Sequence, residues 1–108
     1  MLVPVGFKSL GQLYRSFMPF LKNTGLFVPT RKRYLMGQEV LLMVQLPGLK
    51  EKFSAAGEVV WVNPENAAGH KKQGVGVEFI DGNGATLRIR IEGMLVEQLK
   101  SDAPTYTL

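Results

Sequence analysis

The chain contains no cysteine, which excludes disulfides, thiolate nucleophiles and cysteine-ligated metal sites. It has a single histidine, His70, in the polar run AAGHKKQG beside two lysines, where it reads as an exposed loop residue and not as a general base. No HExxH, Walker A or GxGxxG pattern occurs. The acids are scattered singly, with no carboxylate pair. Acid–base and nucleophilic chemistry both need groups held in position, so no enzyme, metal or cofactor is expected. Asp81-Gly82-Asn83 with Glu92 faintly resembles a calcium loop, but Ala85 has no ligating atom and Thr86 stands where the sharp turn needs glycine. Long apolar runs are missing too. None approaches the roughly 18 to 20 residues of a membrane span. The start, MLVPVGFKSLGQLYRSF, is broken by Pro4, Gly6 and Lys8 and has no basic stretch ahead of it, unlike a signal peptide. A reducing, cytoplasmic setting is expected, with no direct membrane insertion.

Acids are also absent from the first third. Lys8, Arg15, Lys22, Arg31, Lys32 and Arg33 all precede the first acid, Glu39, and the net charge is +4. Such a region can attract an anionic nucleotide, nucleic acid or an acidic protein surface. Small barrels that hold single-stranded nucleic acid interleave aromatic and basic residues. Here Phe27, Phe53 and Phe79 read more simply as core, so nucleic acid is not an expected partner.

The 108 residues suit one domain with a modest core. Leu2 to Phe7 reads as a short strand, with Pro4 suited to an edge. Ser9 is placed to cap a helix carrying Leu10, Leu13 and Phe17, which Pro19 would end. Gly25 to Val28 is a short strand stopped by Pro29, and Arg31 to Arg33 form a loop. In Gln38 to Leu46 the apolar residues are nearly continuous, which predicts burial on both faces. Pro47-Gly48 is a turn. In Phe53 to Val62, Gly57 marks a bulge or a close approach of backbones. Strict alternation in that strand puts Val59 and Trp61 on one face, Val60 and Val62 on the other. Asn63-Pro64 opens a polar loop that reaches Gln73, and Gly74 to Ile80 alternates Val75, Val77 and Phe79. After a turn at Asp81-Gly82-Asn83-Gly84, a helix is expected from Ala85 to Lys100, with an apolar stripe of Leu87, Ile91, Met94, Leu95 and Leu99. Residues 100–108 lack periodicity and should form an extended tail. The fold class is mostly β: a small antiparallel β-barrel with a short N-terminal helix and a C-terminal helix packed on it.

The strand with Trp61 carries apolar residues on both faces, which calls for a second contact, either the terminal helix or another protein. The ordered set Gly25-Leu-Phe-Val-Pro, Gly37-Gln-Glu-Val, Gly57-Glu-Val-Val-Trp and Gly74-Val-Gly-Val-Glu-Phe resembles the PilZ domain family. Leu13 to Phe20, LYRSFMPF, and the ending from Lys100 to Leu108 are similar to the branch of that family that serves type IV pilus assembly. The family fold is an antiparallel barrel with a packed helix. Many of its members bind cyclic di-GMP through an RxxxR arm and a [DN]xSxxG turn, in which arginines pair with phosphates and stack on guanine. Aligned on Gly25, the acid or amide position is Phe20 and the serine position is Lys22. Only Gly25 remains, to give the turn, and no two arginines lie four apart. The motif is degenerate, and cyclic di-GMP binding is not expected. The resemblance instead implies an adaptor in pilus biogenesis and twitching motility that works by protein–protein interaction. Its partners there are the pilus extension ATPase and, in some bacteria, an EAL-domain regulatory protein that itself binds cyclic di-GMP. The candidate contact residues are Tyr14, Phe17, Met18, Trp61 and Tyr106.

Overall fold

The computed structural model describes residues 1–67, 69 and 71–108, so the reading of His70 lies outside the described residues. Five strands form one curled sheet in the order β1-β3-β4-β5-β2. They are β1 (Leu2–Gly6), β2 (Gly25–Pro29), β3 (Glu39–Gln45), β4 (Lys52–Asn63) and β5 (Gly74–Phe79). Helix α1 (Leu10–Ser16) follows β1, α2 (Gly82–Met94) follows β5, and a single 3-10 turn spans Gln98–Lys100. The sheet is a half-barrel, open between β1 and β2. This is the mostly β architecture with two helices read from the pattern.

One pairing departs from the all-antiparallel expectation: β1 runs parallel to β3, with Val3 opposite Leu42 and Val5 opposite Val44. No hairpin joins these strands. α1 and β2 lie between them in the chain, and such a crossover is what parallel pairing requires. Pro4 lies in an edge strand as expected. The Met1 carbonyl accepts from Leu41 and the Phe7 N–H donates to Gln45, both toward β3. Alternation therefore turns residue 4, which has no N–H, to the free edge.

The concave face holds the main core. Val40, Leu42 and Val44 of β3 meet Val59 of β4, Val75, Val77 and Phe79 of β5, and Leu26 and Val28 of β2. Leu13 and Phe17, with Leu87, Ile91 and Leu95, close it from the helical side. Strand β3 is not buried on both faces: Leu41 is 41% exposed and Glu39 and Gln45 face solvent. Its apolar outer residues lie beside others, Leu41 between Leu2 and Ala56, Met43 between Pro4 and Ser54. An outer-face patch of this kind reads, in one dimension, like a doubly buried strand.

The two faces of β4 were also misjudged. The register slips between Val59 and Trp61, leaving Val60 as the extra residue of a bulge, so Val59 pairs with Val77 and Trp61 with Gly76. The slip sends Val59 and Trp61 to opposite faces. Gly57 is the close approach and not the bulge: a Cβ there would meet the Val77 side chain and stand 2.9 Å from the Glu78 carbonyl oxygen.

Ser9 caps α1 as read, its hydroxyl accepting from the Gln12 N–H at 3.1 Å. The helix stops before Pro19 can act. Phe17 is already extended, at φ −72° and ψ 134°, and bridges to Leu26, while the Met18 N–H donates to the Gly25 carbonyl at 3.0 Å. Helix α2 begins three residues before the expected Ala85 and ends at Met94, well short of Lys100. The Asp81 to Gly84 segment is its cap and first turn. Asp81 accepts from the Gly84 N–H at 2.8 Å and, through its other oxygen, from the Ala56 N–H at 3.1 Å. Gly84 lets the helix lie against Phe79, whose Cγ would stand 2.8 Å from an added Cβ. Leu99, past the helix, is 38% exposed and lies outside the buried stripe. The Pro47-Gly48 turn forms as read, closed by the Leu49 N–H on the Leu46 carbonyl with Gly48 at φ +75°.

Candidate functional site

A second, smaller cluster lies on the opposite side of the sheet, over β2, β4 and β5. Phe27 alternates with Leu26 and Val28 and so points away from the main core. Its ladder partner is Gly76. The missing side chain there makes room: an added Cβ would stand 2.7 Å from Met18 Cε and 2.7 Å from Trp61 Cβ. Met18, Phe27 and Tyr106 are buried together, with Leu21 and Trp61 partly buried around them.

The tail forms the lid of this cluster. Tyr106 packs on Phe27 with ring centroids 5.6 Å apart. Its N–H donates to the Arg15 carbonyl at 2.9 Å, and its carbonyl accepts from Asn63 Nδ2 at 2.7 Å. Asn63 Oδ1 accepts in turn from Trp61 Nε1 at 2.8 Å. Asn63 is buried, and this two-way bonding satisfies its amide. The Tyr14 hydroxyl donates to the Ala103 carbonyl at 2.6 Å. Arg15 and Lys72 place their charges 6.0 and 5.4 Å from the Tyr106 ring centroid. From Ser101 to Leu108 the tail has neither helix nor strand and is bound along its length, Lys100 belongs to the 3-10 turn, and the end folds back where the Thr105 N–H donates to the Leu108 carbonyl at 2.9 Å.

The turn that carries the degenerate motif runs beside this lid. The Thr24 N–H donates to the Leu21 carbonyl at 3.0 Å, with Thr24 at φ +64°. The left-handed residue is therefore Thr24, not Gly25, which corrects the assignment of the turn to the glycine. Gly25 is required by its neighbour instead, since a Cβ there would strike the Val77 carbonyl. Glu78 fixes the turn by accepting from the Asn23 N–H at 3.0 Å. Phe20, 44% exposed, packs edge-to-face with Trp61, the ring centroids 5.8 Å apart and the planes inclined by 63°. Lys22 points to solvent.

Between α1, the turn and the tail lies a groove of about 380 Å³, lined among others by Tyr14, Pro19, Phe20, Leu99 and Leu108. Among the described residues its one charged lining side chain is that of Asp102. Such walls suit an apolar side chain and supply no cation for a phosphate. Among the described residues, no group of three or more His, Asp or Glu could hold a metal ion.

The structure divides the five candidate contact residues between the two clusters, Tyr14 and Phe17 with the main core and Met18, Trp61 and Tyr106 with the smaller one, and it does not expose them equally. Phe17 is buried in the main core, and Met18 and Tyr106 are buried in the smaller cluster. Tyr14 and Trp61 alone reach the surface, both in part. Sequence reasoning missed Asn63 and Arg15, which hold the tail; Asn63 was placed at the mouth of a polar loop, and nothing in its neighbours signals a buried amide.

The ladder order, the packed helix and the position of the turn at the start of β2 are joined by a match of the PilZ domain family model to residues 1–97. The chain belongs to the PilZ domain family. PilZ domains are non-catalytic binding and adaptor domains connected with cyclic di-GMP. No curated protein matches the chain. The residues beyond the PilZ match include the whole lid from Ser101 to Leu108. Among the described residues, no helix is long and apolar enough to cross a membrane.

Proposed function

We propose that this PilZ domain is a non-enzymatic adaptor in type IV pilus biogenesis and twitching motility, acting by protein contact and not by binding cyclic di-GMP itself. The observation that carries the reading is Phe20. It occupies the place of the motif's acid or amide, it packs against Trp61, and among the described residues Asp102 is the only charged side chain lining its groove. A dianionic dinucleotide would meet an acid and a ring where it needs arginines and small polar groups. The partners in this reading are the pilus extension ATPase and an EAL-domain regulatory protein. Tyr14, Phe20 and Trp61 supply the exposed contact, while Phe17, Met18 and Tyr106 support it from beneath.

Calorimetric titration with cyclic di-GMP at near-physiological salt tests the first half. No saturable heat is expected, and binding at micromolar affinity or tighter would make the domain a direct receptor with an unconventional site. The second half is tested by capture of the pilus extension ATPase from solution. Trp61→Ala and Tyr14→Ala should weaken capture, and Tyr14→Phe, which keeps the ring, should weaken it less. Equal capture by all four proteins would remove this face from the interface.

A further inference from the structure

The loop from Thr30 to Gln38 lies outside the site just described and uses none of its residues. Its sequence is TRKRYLMGQ: three consecutive cations, then three apolar side chains, then a glycine. The apolar three are not equivalent. Tyr34 packs onto the main core and anchors the loop. Leu35 and Met36 remain 77% and 63% exposed, large for such side chains.

Their exposure is built in and is not the fraying of a loose segment. Leu35 to Gln38 form a β-turn in which the Gln38 N–H donates to the Leu35 carbonyl at 3.0 Å, with Gly37 at φ +84°. The Gln38 side chain accepts from the Leu35 N–H at 3.0 Å. The Gly37 N–H donates to the Val59 carbonyl at 2.7 Å, tying the turn to β4. At the other end the Thr30 N–H donates to the Gln73 carbonyl, and Thr30 Oγ1 accepts from the Lys32 N–H, both at about 3 Å. Leu35 and Met36 thus form the projecting tip of a held turn.

Charge frames the tip on one side. Arg31, Lys32 and Arg33 are exposed, and among the described residues none is within ion-pair distance of a carboxylate; the two ion pairs present are Arg88–Glu92 and Lys100–Glu97. A hollow of about 430 Å³ is lined by Leu35 of the tip together with Lys32 and Arg33, and among the described residues Glu65 is its only acid.

We propose that this tip docks the protein on an anionic lipid surface, with Leu35 and Met36 in the headgroup–acyl boundary and the three cations over the lipid phosphates. Two weak signals side by side, a small apolar insertion and a basic cluster, are what reversible attachment to a bilayer requires. Two exposed apolar side chains beside cations unpaired among the described residues are covered by an anionic fluid surface without the matched apolar and acidic relief that a folded protein would need. The loop is not a span, so the expectation of no direct membrane insertion is revised at this one turn only. The proposal is independent of the pilus reading, and either can fail alone.

Flotation of the intact protein with phosphatidylcholine vesicles, with and without phosphatidylglycerol, tests it. The protein should float only with the anionic lipid, and less as salt rises. Leu35→Ser with Met36→Ser should weaken flotation about tenfold. Arg31→Gln, Lys32→Gln and Arg33→Gln together should weaken it on the order of a hundredfold, about fivefold for each charge. All five positions are exposed, so melting should not change. No flotation on either vesicle overturns the proposal, as does a serine pair that floats like the parent, since the net charge alone would then explain binding. Retention on a polyglutamate matrix without flotation would assign the tip to an acidic protein and overturn it equally.

Discussion

The two faces of the sheet solve the burial problem in different ways. The inner face is mostly aliphatic, with Phe7, Phe17 and Phe79 among its buried residues, and is built from strands and helix stripes whose apolar residues recur with the period of their element. The outer face over β2, β4 and β5 is a small assembly of Met18, Phe27, Trp61 and Tyr106, gathered from a turn, two strands and the tail. It is made possible by an absent side chain at Gly76 and held by a chain of hydrogen bonds through Asn63. The inner face gains its stability from area removed from water. The outer face depends on a few directional contacts, each of which can be deleted singly. The inner core sets the fold, and the outer one sets which surface that fold presents.

Substitutions can break this comparison, and the largest effect belongs inside. Leu42→Ala should cost about 3 kcal/mol in urea unfolding, the usual cost of a leucine-sized cavity in a packed core. Removal of Ser101 to Leu108 should cost less, about 2 kcal/mol, through the lost burial of Tyr106. In that variant hydrogen exchange should quicken around Phe27 and Trp61 and stay slow at Leu42 and Val77. Uniform quickening would mean that the two faces are one cooperative unit. Asn63→Ala should cost about 1 to 2 kcal/mol, since the Trp61 N–H and the Tyr106 carbonyl lose their partner. It should also shift Trp61 fluorescence, which Leu42→Ala should leave in place. Tyr14→Phe is the smallest, about 0.5 to 1 kcal/mol for one partly exposed hydrogen bond. A proteolysis assay cutting near Ala103 should still detect it, and identical digestion of the two proteins would remove Tyr14 as a tether.

The same division explains what could be read from the residues. Val75, Val77 and Phe79 alternate because one face of β5 meets the main core, and period 2 is visible in a linear string. The Ser9 cap and the Pro47-Gly48 turn were equally legible, since each is a local interaction. The bulge at Val60 was not, because no residue type marks it and Gly57 stood nearby as a more obvious candidate. That one-residue slip carried Trp61 to the wrong face. Leu41 misled for a related reason, since an apolar outer patch and a buried second face have the same sequence. Within the site, the loss of the acid and serine positions at Phe20 and Lys22 was plain from spacing. The contact of Phe20 with Trp61 and the bonding of Tyr106 to Arg15 and Asn63 were not, because each joins segments far apart in the chain and neither has a periodicity.

The parallel edge strand has a last consequence, for how the molecule behaves in a crowd. An open half-barrel has two rims, and each unpaired rim is a template for another chain. The rim at β2 is occupied where Phe17 and Met18 pair with Leu26 and Gly25. The rim at β1 has a gap in its middle, where Pro4 turns a ring outward in place of an N–H. An incoming strand therefore finds its ladder broken at the centre. Keeping one copy of this sheet from growing onto the next depends, at that rim, on a single missing hydrogen.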